Sequence, residues 1–216
     1  MSSRELEDLR TDYSGRPLEA EDVAGKDPLV LVRQWLDEAL KAGAREPTAM
    51  TLATAGADGY PDARIVLLKG LEGGALRFYT NYDSAKGEQL NAQPRATLVL
   101  FWAELERQVR VRGTVGKLPR DVSQAYFRSR PRGSQLGAWA SAQSEVIDTR
   151  EVLETRLDAI QRAYPEGTEF PLPVHWGGYG VVPDEVELWQ CRPSRLHDRF
   201  RARRAGEGWL WERLSP

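Results

Sequence analysis

Residues 95–118 read RATLVLFWAELERQVRVRGTVGKL and decide the fold of this chain. The run Arg95–Trp102 is mostly apolar, which is typical of a buried strand. From residue 107 to residue 118, Val109 and Val111 alternate with polar residues, which is the period of a half-buried strand. Two such segments in succession predict a protein built mainly of strands.

Similar patterns predict further elements on both sides of this stretch. Alternating or apolar runs predict strands at residues 50–54, 64–69, 76–80, 178–182, 186–190, 195–203 and 209–214. Apolar residues at helical spacing predict helices at residues 28–43, 84–90, 119–128 and 149–164, and residues 70–74 resemble a loop. Many strands with few long helices favour a mainly β fold, an antiparallel barrel with peripheral helices.

Composition narrows the class of protein. The 216 residues suit a single domain at residues 28–216, preceded by a polar, loosely ordered arm at residues 1–27. The net charge of −2 disfavours a general nucleic-acid or membrane-surface partner. A single cysteine, Cys191, excludes an internal disulfide framework and a cysteine-rich metal site. Because neither a signal peptide nor an apolar run of transmembrane length is recognisable, we expect a soluble cytoplasmic protein.

A cluster of arginines follows the third predicted helix. Residues 126–135 read YFRSRPRGSQ, and Arg128, Arg130 and Arg132 occur there without an acidic residue. Because unpaired arginines repel one another, a bound polyanion is a reasonable explanation for the cluster. The alternative is a basic loop that contacts nucleic acid, which the overall negative charge disfavours.

A second basic segment holds one of the two histidines. Residues 189–199 read WQCRPSRLHDR, and His197 stands between Arg195 and Arg199. In a strand, the period of two would place these three side chains on one face. Such a face is normally an edge of the sheet that is exposed to solvent. It becomes a reaction site if an anion binds over it and a proton is transferred there. The other histidine, His175, lacks a recognisable partner and is assigned no role.

Three further segments carry weaker indications of a site. Residues 78–87, FYTNYDSAKG, place Lys86 in the first turn of a helix, where free N–H groups and a cation favour an anion, although this segment alone is better explained by an ordinary capped helix. Residues 64–69, RIVLLK, are also consistent with a strand that has charged ends, and Gln108 could bond the edge of a heteroaromatic ring. Dinucleotide-binding, Walker and Gly-x-Ser-x-Gly patterns are absent from the sequence.

Taken in order, these segments closely resemble the pyridoxine/pyridoxamine 5′-phosphate oxidase family. The matching segments are residues 64–69, 78–81, 106–110, 126–132, 134–139, 143–144, 176–179 and 195–199. The similarity extends from about Leu9 to Pro216, and the ordered set is specific although each segment by itself is weak. The resemblance implies an antiparallel FMN-binding split β-barrel with peripheral helices, and a homodimer with one FMN at each end of the subunit interface.

The resemblance also implies roles for individual side chains. The residues expected to bind FMN are Arg64, Ile65, Val66, Leu67, Leu68, Lys69, Tyr79, Thr80, Lys86, Gln108, Gln143, Ser144, Trp189 and Arg199. The residues expected to hold the substrate phosphate are Lys69, Tyr126, Arg130 and Ser134. Arg195 and His197 are expected to be catalytic and to lie over the substrate ring, and Arg10 and Tyr13 to close over the site.

The implied reaction oxidises pyridoxine 5′-phosphate or pyridoxamine 5′-phosphate to pyridoxal 5′-phosphate, with FMN accepting a hydride and O2 being reduced to hydrogen peroxide. Whether His197 takes a proton or only orients the substrate is open. One alternative is a related flavin oxidase acting on another substrate, such as a phenazine precursor. Another is a non-catalytic flavin- or haem-binding split barrel, against which the pair Arg195 and His197 argues.

Two positions depart from the pattern of the resembled family. Ala85 stands where arginine is usual, and Cys191 stands where glycine is usual. A lost charge-assisted hydrogen bond is worth roughly 1.5–3 kcal/mol, which corresponds to FMN binding weakened on the order of tenfold to a hundredfold. We therefore expect weaker FMN binding unless another arginine compensates.

Overall fold

The computed structural model describes residues 12–216. The helices are α1 (Ala20–Val23), α2 (Pro28–Lys41), α3 (Ala85–Ala92), α4 (Arg120–Ser129), α5 (Arg132–Ala140) and α6 (Arg150–Ala163). The strands are β1 (Ala49–Ala55), β2 (Pro61–Leu67), β3 (Gly70–Glu72), β4 (Ala75–Asn81), β5 (Arg95–Trp102), β6 (Arg107–Lys117), β7 (Trp176–Gln190), β8 (Asp198–Ala205) and β9 (Gly208–Leu214). They are hydrogen-bonded in the order β2-β1-β5-β6-β7-β4-β3, and β8 pairs with both β7 and β9. The predicted mainly β fold with helices is confirmed.

The chain divides into two compact units. Among the described residues, the first unit comprises residues 12–48, 98–111 and 184–216, and the second comprises residues 49–97 and 112–183. Strands β5, β6 and β7 therefore contribute residues to both units. The boundary between an arm and a single domain at residue 27 stays a prediction.

The first unit contains α2 and the hairpin of β8 and β9. Asp27 caps α2 by accepting a hydrogen bond from the Leu29 N–H at 2.7 Å, and Pro28 occupies the first helical position, where its missing N–H costs nothing. Val32 and Trp35 lie on the buried face of this helix. The hairpin closes where Ala205 pairs with Gly208. Strand β8 pairs with the part of β7 that leads into the second basic segment.

The second unit contains β1–β4 and helices α3–α6. Strand β4 pairs with β7 so that Tyr79 is opposite Gly178 and Thr80 is opposite Gly177. A Cβ atom on Gly177 would lie 2.2 Å from the hydroxyl of Tyr82, and one on Gly178 would lie 2.8 Å from the ring of Tyr79. Glycine is therefore favoured at both positions, because the side chains of Tyr82, Tyr79 and Leu118 approach β7 closely.

The predicted strand at residues 195–203 is wrong in its first part. Pro193–Arg195 forms a 3₁₀ turn, and β8 begins only at Asp198. Ser194 and Arg195 have φ values of 59° and 63°, which lie in the left-handed region. The predicted strand face shared by Arg195, His197 and Arg199 therefore does not exist, since a strand requires an extended backbone.

Other boundaries differ in detail from the predictions. Residues 70–74 contain the short strand β3, and the two strands predicted at residues 178–182 and 186–190 form one continuous strand, β7. Helix α5 occupies part of the segment whose composition indicates a basic loop. Strand β2 begins at Pro61, three residues earlier than predicted, because Pro61 to Ala63 pair with β1.

Candidate active site

The second unit holds a cavity of about 430 Å³ that gathers most of the predicted site residues. The predicted residues that line it are Ile65, Val66, Leu67, Lys69, Tyr79, Thr80, Lys86, Tyr126, Arg130, Ser134 and Gln143. The four side chains expected to hold the substrate phosphate are all among them. Asn81 and Trp176 also line the cavity, although the sequence did not assign them a role. The structure thus brings the expected phosphate site and part of the expected cofactor site together.

One wall of the cavity is a stack of three aromatic rings. The rings of Tyr79 and Tyr126 are stacked with centroids 3.8 Å apart, and the ring of Trp176 lies 5.7 Å from that of Tyr79. Burial raises the pKa of the Tyr79 and Tyr126 hydroxyls. Both hydroxyls therefore remain protonated at neutral pH and can donate hydrogen bonds to an anion.

Arg130 differs from the other two arginines of its cluster. Arg128 pairs with Glu169 at 2.5 Å, and Arg132 donates to backbone carbonyls. The guanidinium carbon of Arg130 lies 4.6 Å from the ring centroid of Trp176, and its Nη1 atom is buried without a hydrogen-bond partner in residues 12–216. Burial lowers the pKa of Arg130. A buried cationic N–H without an acceptor is costly, so an anion in the cavity would stabilise this arrangement.

A network of hydrogen bonds surrounds Lys86, whose side chain is buried. Its Nζ donates to the Ser84 hydroxyl at 3.1 Å and to the Gln143 carbonyl oxygen at 2.9 Å. The Thr80 hydroxyl donates to the same oxygen of Gln143 at 3.2 Å. Burial and the nearby charge of Arg64 lower the pKa of Lys86. The predicted cofactor residues Thr80, Lys86 and Gln143 are thus in direct contact.

Arg64 is already engaged within its unit. Its Nη1 donates to the Leu52 carbonyl at 3.3 Å and to the Thr54 hydroxyl, and its Nη2 donates to Asp62 and to Gln89 Oε1 at 3.0 Å. The hydrogen bond from Gln89 and the charge of Arg64 hold the pKa of the Asp62 carboxyl below its usual value. A phosphate bound by Arg64 would therefore share the guanidinium with the Asp62 carboxylate.

The departure at Ala85 lies at an adjoining cavity of about 390 Å³ in the second unit, which shares Lys86 and Gln143 with the first cavity. Asp62, Arg64, Lys86 and Ser144 also line this space. The Ala85 N–H donates to the Ser144 hydroxyl at 3.2 Å. The methyl group of alanine leaves room there for a longer side chain.

A second group of predicted site residues lies in the first unit around His197. The ring centroid of His197 is 4.5 Å from that of Trp189 and 5.8 Å from that of Tyr13. Arg195 Nη1 donates to the Tyr13 hydroxyl at 3.3 Å. Tyr13, Trp189, Arg195 and His197 therefore come together although the predicted strand face is absent, because the left-handed turn at Arg195 replaces it.

The hydrogen bond at His197 defines its tautomer. The backbone N–H of Arg192 donates to His197 Nδ1 at 3.1 Å. Burial lowers the pKa of His197, and the charges of Arg195 and Arg199 lower it further. A neutral ring whose Nδ1 accepts a hydrogen bond carries its proton on Nε2. His197 therefore offers an N–H donor at its other nitrogen.

The remaining predicted residues have varied surroundings. Arg199 in β8 is paired with Trp189 in β7. Its guanidinium donates a hydrogen bond to Glu187, a buried carboxylate to which the sequence analysis assigned no role. Gln108 is half-buried in β6, and Arg10 lies outside the described residues. Leu68 is buried just after β2.

Three observations concern residues outside the predicted set. His175 has a partner after all, since its Nε2 lies 3.1 Å from the Ala138 carbonyl oxygen. Trp176, which lines the cavity, falls inside the matching segment 176–179, so its position could have been inferred from the resemblance. Burial raises the pKa of the Cys191 thiol, which therefore stays protonated and fills its position as a small apolar group.

Two absences hold for residues 12–216. No group of three or more histidine, cysteine, aspartate or glutamate side chains in this range could hold a metal ion. No helix in the same range is long and apolar enough to cross a bilayer.

The sequence matches two family descriptions in succession. Residues 36–163 match the family described as "Pyridoxamine 5'-phosphate oxidase", and residues 176–216 match the "Pyridoxine 5'-phosphate oxidase C-terminal dimerisation region". A protein of Salinibacter ruber named pyridoxine/pyridoxamine 5′-phosphate oxidase is 54% identical over 214 residues, covering 98% of this chain and 99% of that protein. A protein of the same name from Rubrobacter xylanophilus is 52% identical over 213 residues, covering 99% and 97%.

Solved structures share the fold. PhzG from Burkholderia lata 383, solved in complex with tetrahydrophenazine-1-carboxylic acid, has a TM-score of 0.87 at 30% identity and covers 94% of this chain and 100% of its own. A pyridoxamine 5′-phosphate oxidase-related, FMN binding protein from Nostoc punctiforme has a TM-score of 0.70 at 18% identity, covers 89% and 99%, and is similar in fold alone. With the strand order above, the likeness to PhzG confirms the predicted antiparallel split barrel with peripheral helices.

Proposed function

The chain belongs to the pyridoxine/pyridoxamine 5′-phosphate oxidase family, and from this premise we propose which of its site residues bind the phosphate groups and which orient the substrate. The protein is an FMN-dependent oxidase that converts pyridoxine 5′-phosphate or pyridoxamine 5′-phosphate to pyridoxal 5′-phosphate and reduces O2 to hydrogen peroxide. The observation that carries the residue assignment is the unpartnered Nη1 atom of Arg130 in the cavity of the second unit.

Arg130 is the principal ligand of the substrate phosphate in this proposal. The aromatic ring of Trp176 holds its guanidinium by a cation–π contact. The protonated Tyr126 hydroxyl, the Lys69 ammonium and the Ser134 hydroxyl line the same cavity and supply further donors. A phosphate oxygen accepts charge-assisted hydrogen bonds from such groups, which fixes the substrate by its non-reacting end.

The residues present also fit FMN. Lys86 is a buried cation whose hydrogen-bond partners are the Ser84 hydroxyl and the Gln143 amide, so its charge is available to a cofactor phosphate. Arg64 and Ser144 line the adjoining space. When bound, FMN supplies a two-electron acceptor that takes a hydride from the substrate and passes the electrons to O2.

We propose that His197 orients the substrate through an N–H donor and does not take its proton. The Nδ1 atom is occupied by the Arg192 N–H, and the lowered pKa keeps the ring neutral at pH 7. Arg195, whose guanidinium carbon lies 5.2 Å from the Tyr13 ring centroid, is placed to stabilise negative charge that develops on the substrate.

The C-terminal part of the chain, residues 176–216, matches a dimerisation region. We propose that the protein is a homodimer with FMN bound at the subunit interface, as the resemblance implies. Light scattering on the purified protein, coupled to size exclusion, tests the dimer directly. A mass of one chain at micromolar concentration would contradict it. The expected cytoplasmic location stays a prediction.

The substrate is tested by incubating the FMN-loaded protein with pyridoxine 5′-phosphate or pyridoxamine 5′-phosphate under O2. We expect pyridoxal 5′-phosphate, measured by its absorbance, and an equal amount of hydrogen peroxide. Absence of product from both substrates would overturn the activity. A phenazine precursor serves as the comparison substrate, because PhzG is similar in fold but only 30% identical.

A further inference from the structure

Glu187 is a nearly inaccessible carboxylate in β7, with a relative exposure of 2%. Arg110 Nη2 donates to its Oε2 at 2.5 Å, and Arg199 donates to its Oε1 from Nε at 3.1 Å and from Nη2 at 3.0 Å. Removing a carboxylate from water is costly unless it is paired and hydrogen-bonded. Three N–H donors bind the Glu187 carboxylate, two of them from Arg199. The two side chains therefore hold each other in place.

The contact between Glu187 and Arg199 is diagonal across the strand pair. The register places Arg201 opposite Glu187 and Arg199 opposite Trp189. Arg199 therefore reaches back along β7 to the carboxylate, and such diagonal neighbours lie within reach of long side chains. Its guanidinium lies on the side of β7 that carries both Glu187 and Trp189.

The hydrogen bonds of Arg199 leave part of its guanidinium available. Besides the two bonds to Glu187, Arg199 Nη1 donates to the Ser215 carbonyl oxygen at 2.9 Å. A guanidinium has five N–H groups, and the two that remain, one on each Nη atom, lack an acceptor within residues 12–216. The side chain is about a quarter exposed, so it is not sealed off from a ligand.

We propose that Glu187 is a positioning residue for flavin binding. It holds the Nε edge of Arg199, so that the remaining N–H groups of the guanidinium face a ligand beside Trp189. The inference rests on the proposed function, in which Arg199 and Trp189 bind FMN. Arg199 binds FMN effectively because the buried Glu187 carboxylate fixes the orientation of its guanidinium before the cofactor binds.

The test compares Glu187→Gln with a matched control, Glu185→Gln. Glu185 lies two residues earlier on β7 and approaches Arg110 at 3.7 Å and Arg201 at 3.9 Å. FMN affinity of the apoprotein is measured by quenching of flavin fluorescence, and thermal unfolding of the apoprotein is followed in parallel. We expect Glu187→Gln to weaken FMN binding about tenfold or more, and Glu185→Gln to change it by less than about twofold.

A purely structural role for Glu187 gives a different result. It predicts a lower Tm for Glu187→Gln with unchanged FMN affinity, which would overturn the inference. If Glu187→Gln does not fold, Glu187→Asp keeps the charge and withdraws it by one methylene group. Its FMN affinity should fall about threefold or more, and an unchanged affinity would overturn the inference equally.

A double substitution separates this inference from the proposed function. In the Arg199→Met background, Glu187→Gln should cause no further loss of FMN affinity, because the residue acts through Arg199. An equal loss in both backgrounds would contradict the positioning role. Loss of affinity in Arg199→Met without loss in Glu187→Gln overturns the inference alone. Unchanged affinity in Arg199→Met overturns the assignment of Arg199 itself.

Discussion

The backbone N–H of Arg192 donates a hydrogen bond to Nδ1 of His197 over 3.1 Å. A backbone N–H cannot accept a proton, so this contact requires a lone pair on Nδ1 and leaves the ring proton on Nε2. The contact depends on the turn between the two residues, in which Ser194 and Arg195 adopt positive φ values. The backbone thus selects the tautomer of His197.

Substitution of His197 should distinguish a donor from a base. In His197→Gln the side-chain amide can donate from about the position of Nε2, so we expect flavin reduction in a single turnover to stay within about tenfold of the wild type. His197→Leu lacks the donor and should be slower on the order of a hundredfold. If both variants lost the same large factor, His197 would be acting as a base.

The rate of flavin reduction by the substrate should fall at low pH. His197 is neutral at pH 7 because burial, Arg195 and Arg199 all lower its pKa, while Asp198 opposes this. Protonation of Nδ1 would remove the lone pair that accepts the hydrogen bond from the Arg192 N–H. The rate should therefore fall as the pH drops through the lowered pKa of His197. Above about pH 7 the contribution of His197 should be constant, since the usual pKa is about 6.5. Stopped-flow reduction of the wild type and His197→Gln measures the difference, and an acid limb in both would assign the fall to another group.

Arg130→Met should weaken substrate binding without disturbing the fold. The buried Nη1 atom that lacks a partner would be removed, so the KM for pyridoxine 5′-phosphate should rise on the order of tenfold to a hundredfold. Arg128→Met is the matched control, because its side chain is exposed and pairs with Glu169. Steady-state kinetics of both variants test the assignment, which an unchanged KM in Arg130→Met would refute.

Ala85→Arg should tighten FMN binding. The cavity beside Ala85 has room for the side chain, and a new charge-assisted hydrogen bond corresponds to about tenfold or more in affinity. The neighbouring Asp62 carboxylate could capture the new guanidinium, so Ala85→Arg combined with Asp62→Asn should bind tighter still. Calorimetric titration of the apoproteins with FMN measures the affinity of the single and the double variant. Equal affinities of the wild type and both variants would mean that Arg64 and Lys86 already suffice.

Gly177→Ala should destabilise the protein. The added Cβ would lie 2.2 Å from the Tyr82 hydroxyl, so either β7 or the ring must shift. Overpacking of this kind costs about 1–3 kcal/mol, which lowers the Tm by roughly 2–12 °C. Gly116→Ala is the control, because a Cβ added at Gly116 would have no neighbour within 4 Å among residues 12–216. Calorimetric melting of the two variants gives the comparison, and equal Tm values would contradict the close approach.

The sequence predicted the strands well where their pattern was continuous. Residues 95–102 alternate or are apolar without interruption, and β5 has the predicted bounds. Helix α5 was not predicted, because Pro131, Gly133 and the surrounding arginines are typical of a loop. The strand face at Arg195 was wrong for a related reason, since the period of two does not reveal two residues with positive φ.

The site residues that the sequence predicted from the family resemblance divide into two groups in the structure. Lys69 is distant in the sequence from Tyr126, Arg130 and Ser134, yet all four line one cavity. The resemblance supplied their identity, including Arg130 among the three arginines, and the structure adds the physical reason, because Arg128 and Arg132 are already paired. That pairing requires Glu169 and the backbone carbonyls of a distant loop, which local sequence cannot indicate. Glu187 was missed because a glutamate in a strand usually faces solvent.

The indole of Trp176 lies against Arg130 at the wall of the cavity. An indole emits in the near ultraviolet, and a bound pyridine ring or flavin that absorbs there would quench it by energy transfer. The protein therefore contains an intrinsic optical reporter of cavity occupancy. Subtracting the emission of Trp176→Phe from that of the wild type isolates this one fluorophore from the other tryptophans, and makes ligand entry observable in real time without a label.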